Sequence, residues 1–169
     1  MSSGFVHLHT HSSYSPMWGI PTLEALCQAA RTQGQDRLAL TDTNGLYGAI
    51  RFLVVAKHEG LKPILGAELV HKAHRAVLLA KTPAGYANLC RLLSARHEES
   101  TFDFIAAVAR HRAGLIILSD DLSALRTWRK DSPKDVYVEL TPGSDIQEAI
   151  TFSRRNGLLR VWHGGQLNR

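Results

Sequence analysis

Three histidines stand at alternate positions, His7, His9 and His11, in the run Phe5-Val6-His7-Leu8-His9-Thr10-His11-Ser12. In extended chain successive side chains point to opposite faces, so the imidazoles share one face while Val6 and Leu8 take the other. Neutral imidazole is the commonest ligand for borderline divalent metals, and this spacing at a strand end presents ring nitrogens to one. A purification tag would instead be a contiguous run without strand formers between the histidines. His9 and His11 are the first candidate ligands.

The elements that must position them are legible as an alternation of short apolar runs and amphipathic stretches. Strands are predicted over residues 5–9, 37–41, 62–66, 75–80, 115–118, 136–140 and 158–162. Between them, Thr22 caps a helix carrying Leu23, Leu26, Cys27 and Ala30 at helical spacing, and Gly34 ends it. Further helices are predicted over 47–59, 83–95, 101–112 and 144–156. Strand followed by helix, repeated, implies mostly parallel strands with right-handed crossovers. No Gly-x-Gly-x-x-Gly follows the first strand, which removes the dinucleotide-binding fingerprint. The polar residues collect after predicted strands: His9 and His11, Asp42, Glu68, Asp120 and Asp121, then His163. In parallel barrels the carboxyl ends of the strands build the site, so a barrel-like α/β fold is expected.

The 169 residues suit one domain, 1–169, with a real core, and 44% apolar with 21% charged residues is an ordinary globular composition. No apolar run reaches the ~18 residues of a membrane span, and the N-terminus starts a strand pattern rather than a signal sequence, so a cytoplasmic protein is expected. Cys27 and Cys90 lie in apolar helical stretches and read as small buried hydrophobes. The net charge of +5 is scattered; it would attract polyanions such as nucleic acid, or simply be a solvated surface.

The stretch His7-Leu8-His9-Thr10-His11-Ser12-Ser13-Tyr14-Ser15, followed by Leu38-Ala39-Leu40-Thr41-Asp42 and Gly45-Leu46-Tyr47-Gly48-Ala49, resembles the polymerase-and-histidinol-phosphatase (PHP) superfamily. It is similar above all to the PHP domains of bacterial DNA polymerase III alpha subunits and error-prone polymerases. Lys62-Pro63-Ile64-Leu65-Gly66-Ala67-Glu68 and Gly85-Tyr86-Ala87-Asn88-Leu89-Cys90-Arg91-Leu92 extend the match. The resemblance implies a distorted (βα)7 TIM-like barrel whose active members use up to three metal ions for phosphoester hydrolysis. It carries the ligand roles to His9, His11, Glu68 and His97, and places Asp121 where the family has a cysteine or histidine.

The departures from the pattern are as informative. Family ligand positions fall on Trp18, whose indole would plug the pocket, and on Thr43, Gly165 and Leu167. A divalent metal, Zn or Mn, is therefore expected at fewer than three ions. Asp120 and Asp121 could equally cap the next helix, His97 could complement a helix C-terminus, and His163 could substitute for a lost ligand. Asp42 could orient His9 or His11, or form a turn. The resemblance implies a structural or interaction domain in DNA replication or repair with a reduced metal centre. The alternative is a metal-dependent phosphoesterase or 3′–5′ exonuclease. DNA and replication or repair proteins are the expected partners, and polymerisation is not expected of this chain itself.

Overall fold

A computed structural model describes residues 5–15, 19–98 and 101–163. The departures at Trp18, Gly165 and Leu167 lie outside these residues. Among the described residues the elements run α1 (Leu23–Thr32), β1 (Arg37–Leu40), α2 (Ala49–His58), β2 (Lys62–His71), β3 (His74–Ala80), α3 (Pro83–Glu98), α4 (Phe104–His111), β4 (Leu115–Ser119), α5 (Leu122–Asp131), β5 (Val136–Leu140), α6 (Ile146–Asn156) and β6 (Leu159–Trp162). The chain is an α/β protein, and its described residues gather in two compact units, one reaching Glu68 and one spanning Leu69–His163.

In the first unit the Thr22 hydroxyl accepts the Ala25 N–H, satisfying one of the donors that a helix start leaves open. The three- and four-residue spacing of Leu23, Leu26, Cys27 and Ala30 then turns one apolar face of α1 inward. That face packs with Leu38 and Leu40 of β1, Phe52 and Ala56 of α2, and Leu61. β1 pairs in parallel with the start of β2, from Arg37 opposite Lys62 to Leu40 opposite Leu65.

Residues 5–9 form no strand, contrary to expectation. Ala39 N–H donates to His7 O at 3.0 Å and Thr41 N–H to Thr10 O at 2.9 Å. Two residues of β1 and its exit thus span three residues of the partner, so the ladder slips as it does at a bulge. Strand β2 runs on to His71, and Glu68 therefore lies inside a strand rather than after one.

In the second unit β3 is antiparallel to β4, with Val77 opposite Leu118 and Ala80 opposite Leu115. The β4–β5 and β5–β6 pairs are parallel. Only Lys72 and Ala73 separate β2 from β3, with Lys72 at φ 55°. So short a link permits a hairpin and forbids a parallel crossover, which needs about a dozen residues. Leu78, Leu89, Leu92, Phe104, Ile117 and Trp128 are fully buried here, and the Trp128 indole N–H is satisfied by Ile105 O at 3.0 Å.

Candidate metal centre

The first unit brings together three of the five expected ligands. His9 Nε2 lies 3.0 Å from His11 Nε2 and 3.4 Å from Glu68 Oε1, and His11 Nε2 lies 3.7 Å from Glu68 Oε2. All three side chains are largely buried. Glu68 is placed by the chain leaving β1, which rides along β2 as far as a parallel bridge between Thr43 and Glu68. Asn44 N–H donates to Glu68 O at 2.8 Å, and Glu68 N–H is shared between the carbonyls of Thr41 and Asp42.

Asp42 holds the histidine segment to that frame. Its buried carboxylate accepts the Ser12 N–H at 2.7 Å, the Ser12 hydroxyl at 2.8 Å and the Ser15 hydroxyl at 2.7 Å. Asp42 therefore orients the site through Ser12 and Ser15.

The neighbouring hydroxyls set what faces His11 Nδ1. The single Ser15 hydroxyl proton goes to Asp42, so Ser15 Oγ accepts, both from Thr43 N–H at 2.9 Å and from His11 Nδ1 at 3.2 Å. Thr43 Oγ1 likewise gives its proton to Glu68 Oε2 at 3.0 Å and faces His11 Nδ1 at 3.4 Å as an acceptor. Acceptor oxygens at Nδ1 favour a proton there, so that His11 would offer Nε2, the nitrogen facing His9 and Glu68, to a cation. Burial by itself pushes the Glu68 carboxyl upward. The hydrogen bond and charge of His9, the charge of His11 and the Thr43 hydroxyl outweigh it and hold the group below the usual carboxylate range.

Two ligand atoms at tetrahedral angle around a zinc with ~2.0–2.1 Å bonds would be about 3.3 Å apart. The observed separations of 3.0, 3.4 and 3.7 Å surround that value, so the donors fit one divalent cation. Two imidazoles and one carboxylate form a set that leaves a coordination position open, as catalytic zinc sites do.

The other two expected ligands have different neighbours. His97 is exposed on the last turn of α3, with Arg96 Nη1 3.5 Å from its Nδ1. Asp121 is the N-cap of α5: Oδ1 accepts the Ser123 and Ala124 N–H groups at 2.9 and 3.1 Å and the Ser123 hydroxyl at 2.5 Å. Its Oδ2 lies 2.6 Å from His74 Nδ1. Burial raises the Asp121 carboxyl, and Ser123, His74 and the Ala124 N–H more than offset it, holding the group below its ordinary value. Asp120 is taken by Arg75 at 2.5 Å and by the Thr141 hydroxyl at 2.8 Å. Among the described residues, neither His97 nor Asp121 joins two other ligand groups within 4.8 Å.

One acidic residue escaped the sequence reading. Glu139 in β5 is 2% exposed, with Oε1 3.3 Å from Nδ1 of His163, which follows β6. A carboxylate inside Val136-Tyr137-Val138-Glu139-Leu140 was the available signal, since an acidic group in an apolar strand is buried only with a partner.

Comparison with known proteins places this geometry in context. The family model described as the PHP domain matches residues 7–141. The chain is 36% identical over 140 residues to the DNA polymerase III subunit alpha of Treponema pallidum, covering 70% of this chain and 12% of that protein. It is 35% identical over 161 residues to the subunit of the same name from Pasteurella multocida, covering 88% and 13%. An error-prone DNA polymerase of Symbiobacterium thermophilum is 47% identical over 94 residues, covering 55% and 9%. The chain thus spans about a tenth of the length of these relatives. A two-domain protein of Bacteroides vulgatus, described as containing a predicted PHP-like metal-dependent phosphoesterase, superimposes with a TM-score of 0.66 at 13% identity over 96% of this chain and 52% of that one. An amidohydrolase of Chromobacterium violaceum, with bound sulfate and no metal, gives 0.63 at 16% identity over 95% and 87%.

Proposed function

The chain belongs to the PHP domain family, and from that premise we propose that His9, His11 and Glu68 hold one divalent cation, Zn or Mn, in a reduced centre for phosphoester hydrolysis. The observation that carries this is the convergence of three donor atoms, separated by 3.0, 3.4 and 3.7 Å, from two segments far apart in sequence. When bound, the cation would supply Lewis acidity to a phosphoryl oxygen. The chain's own residues hold and orient: Asp42 fixes Ser15, Ser15 and Thr43 favour a proton on His11 Nδ1, and Thr43 steadies one oxygen of Glu68. His97 and Asp121 remain the candidates for a second cation, which would compete with the hydrogen bonds Asp121 already accepts. The substrate is a phosphoester such as the 3′ end of single-stranded DNA, supported by the names of the relatives, and the setting is cytoplasmic DNA replication or repair alongside other replication proteins. Among the described residues no helix is long and apolar enough to cross a membrane. In this reading residues 1–169 form one PHP domain with the distorted (βα)7 barrel of that family.

A second function, that of a structural or interaction domain, is favoured by one observation. Thr43 stands where the family pattern has a histidine ligand, and its hydroxyl is hydrogen-bonded to Glu68 at 3.0 Å, a bond that steadies the carboxylate without a cation. Hydrolysis of p-nitrophenyl phosphate and of single-stranded DNA with added Mn or Zn separates the two. Turnover by the wild-type protein that disappears in Glu68→Gln supports the phosphoesterase; no turnover by the wild type leaves the scaffold.

A further inference from the structure

The first unit carries two partly or largely exposed tyrosines, one on the histidine segment and one on the chain between β1 and α2 that supports Glu68. Tyr14 is 38% exposed and directly precedes Ser15, whose hydroxyl lies 3.2 Å from His11 Nδ1. Tyr47 is 72% exposed and follows Thr43, the residue that hydrogen-bonds to Glu68, by four positions. Each ring is seated on a glycine of a single loop. A Cβ at Gly48 would stand 2.8 Å from the Tyr14 ring, and one at Gly45 would stand 2.4 Å from the Tyr47 ring. The rings occupy space that a side chain at 45 or 48 would take, with Tyr47 largely open to solvent and Tyr14 more than half buried. Leaving the Tyr47 ring exposed gives the fold little stability in return, since exposed aromatic surface gains nothing from the hydrophobic effect.

Aromatic rings held at the surface, next to a centre suited to phosphate, match what single-stranded nucleic acid requires. Every base has a π-face that stacks on such a ring whatever its sequence, and the backbone beside it brings a phosphodiester. The Arg51 guanidinium is ion-paired to Glu24 at 2.7 Å, and the whole chain carries a net charge of +5. Resting on the phosphoesterase function above, we propose that Tyr14 and Tyr47 form a stacking platform for an unpaired terminal nucleobase, which presents the adjoining phosphodiester to His9, His11 and Glu68.

The test is the binding of short fluorescein-labelled single-stranded DNA to the full chain by anisotropy, comparing a strand with its 3′-terminal base to one ending in an abasic residue. The wild-type protein should prefer the base-bearing strand, and Tyr47→Ala should weaken that strand roughly 5- to 100-fold and erase the preference. Tyr47→Trp should restore it, and a terminal 2-aminopurine should be quenched on binding to the wild type, which guards against a variant that merely fails to fold. Equal binding of the two strands, no binding of either, or an unchanged preference in Tyr47→Ala and Tyr14→Ala would overturn the proposal; the exposed Tyr47, Ile50 and Val54 would then be left to a protein partner. The hydrolytic function fails separately: base preference kept by a wild-type protein that does not hydrolyse either strand would sink that function and leave the platform standing.

Discussion

His9, His11 and Glu68 in the first unit, and His74 with Asp121 in the second, are both buried or half-buried groupings of imidazole and carboxylate, yet they differ in where the carboxylate's lone pairs go. Glu68 accepts the Thr43 hydroxyl and faces two imidazoles, of which His9 also hydrogen-bonds to it. Asp121 accepts two backbone N–H groups, one hydroxyl and one imidazole, and its neighbour Asp120 is taken by Arg75 and Thr141. A carboxylate surrounded by backbone N–H donors is already neutralised and works as structure; one facing two imidazole nitrogens at 3 to 4 Å is placed to share a cation with them. Proximity of histidine to acid is common to both; the backbone N–H donors at Asp121 and the second imidazole at Glu68 separate them.

The sharpest way to break this comparison is to remove a ligand on the first side. His9→Ala should weaken Zn binding by more than about 100-fold, beyond the 10- to 100-fold that loss of an outer-sphere partner causes. Isothermal titration of metal-free protein reads it, and an unchanged affinity would put the His9 imidazole outside the centre. Next, Ser15→Ala removes an acceptor that favours the His11 proton on Nδ1 and should cost about 10- to 100-fold in the same titration. Affinity equal to wild type would mean that Thr43 alone orients the ring. On the other side, Asp121→Ala should leave the tightest metal affinity unchanged. It should lower unfolding stability by about 1–3 kcal/mol in urea, through loss of the α5 cap and of the His74 partner. The smallest effect concerns Cys27, whose thiol is pushed up to about 11, first by burial and then by the charges of Glu59 and Glu24. At neutral pH it should react with a thiol reagent only as fast as the first unit opens, whereas rapid labelling of the native protein would show that α1 is loosely packed.

How much of this was legible beforehand varies residue by residue. The pair His9 and His11 followed from alternate spacing, and Glu68 from its motif, because both signals are local. The role of Asp42 stood open between a turn and an orienting acceptor, since its partners Ser12 and Ser15 are 30 and 27 residues away and only the fold selects them. The antiparallel β3 could have been foreseen from the few residues between the runs at 62–66 and 75–80, too few for a crossover helix. The strand expected over 5–9 does not form, and the hydrogen bonds from Ala39 and Thr41 to His7 and Thr10 slip by one residue, a long-range pairing that the local pattern did not show. For Asp121 the capping alternative is the one the structure displays, with Ser123 and Ala124 as its donors.

We propose above that His9, His11 and Glu68 together hold one cation. Elemental analysis of tag-free protein, loaded with Zn or Mn and then exchanged into metal-free buffer, tests it most directly. One ion per chain in the wild type and none in Glu68→Ala is the expected result. No retained ion in the wild type, or equal retention by Glu68→Ala, would contradict it.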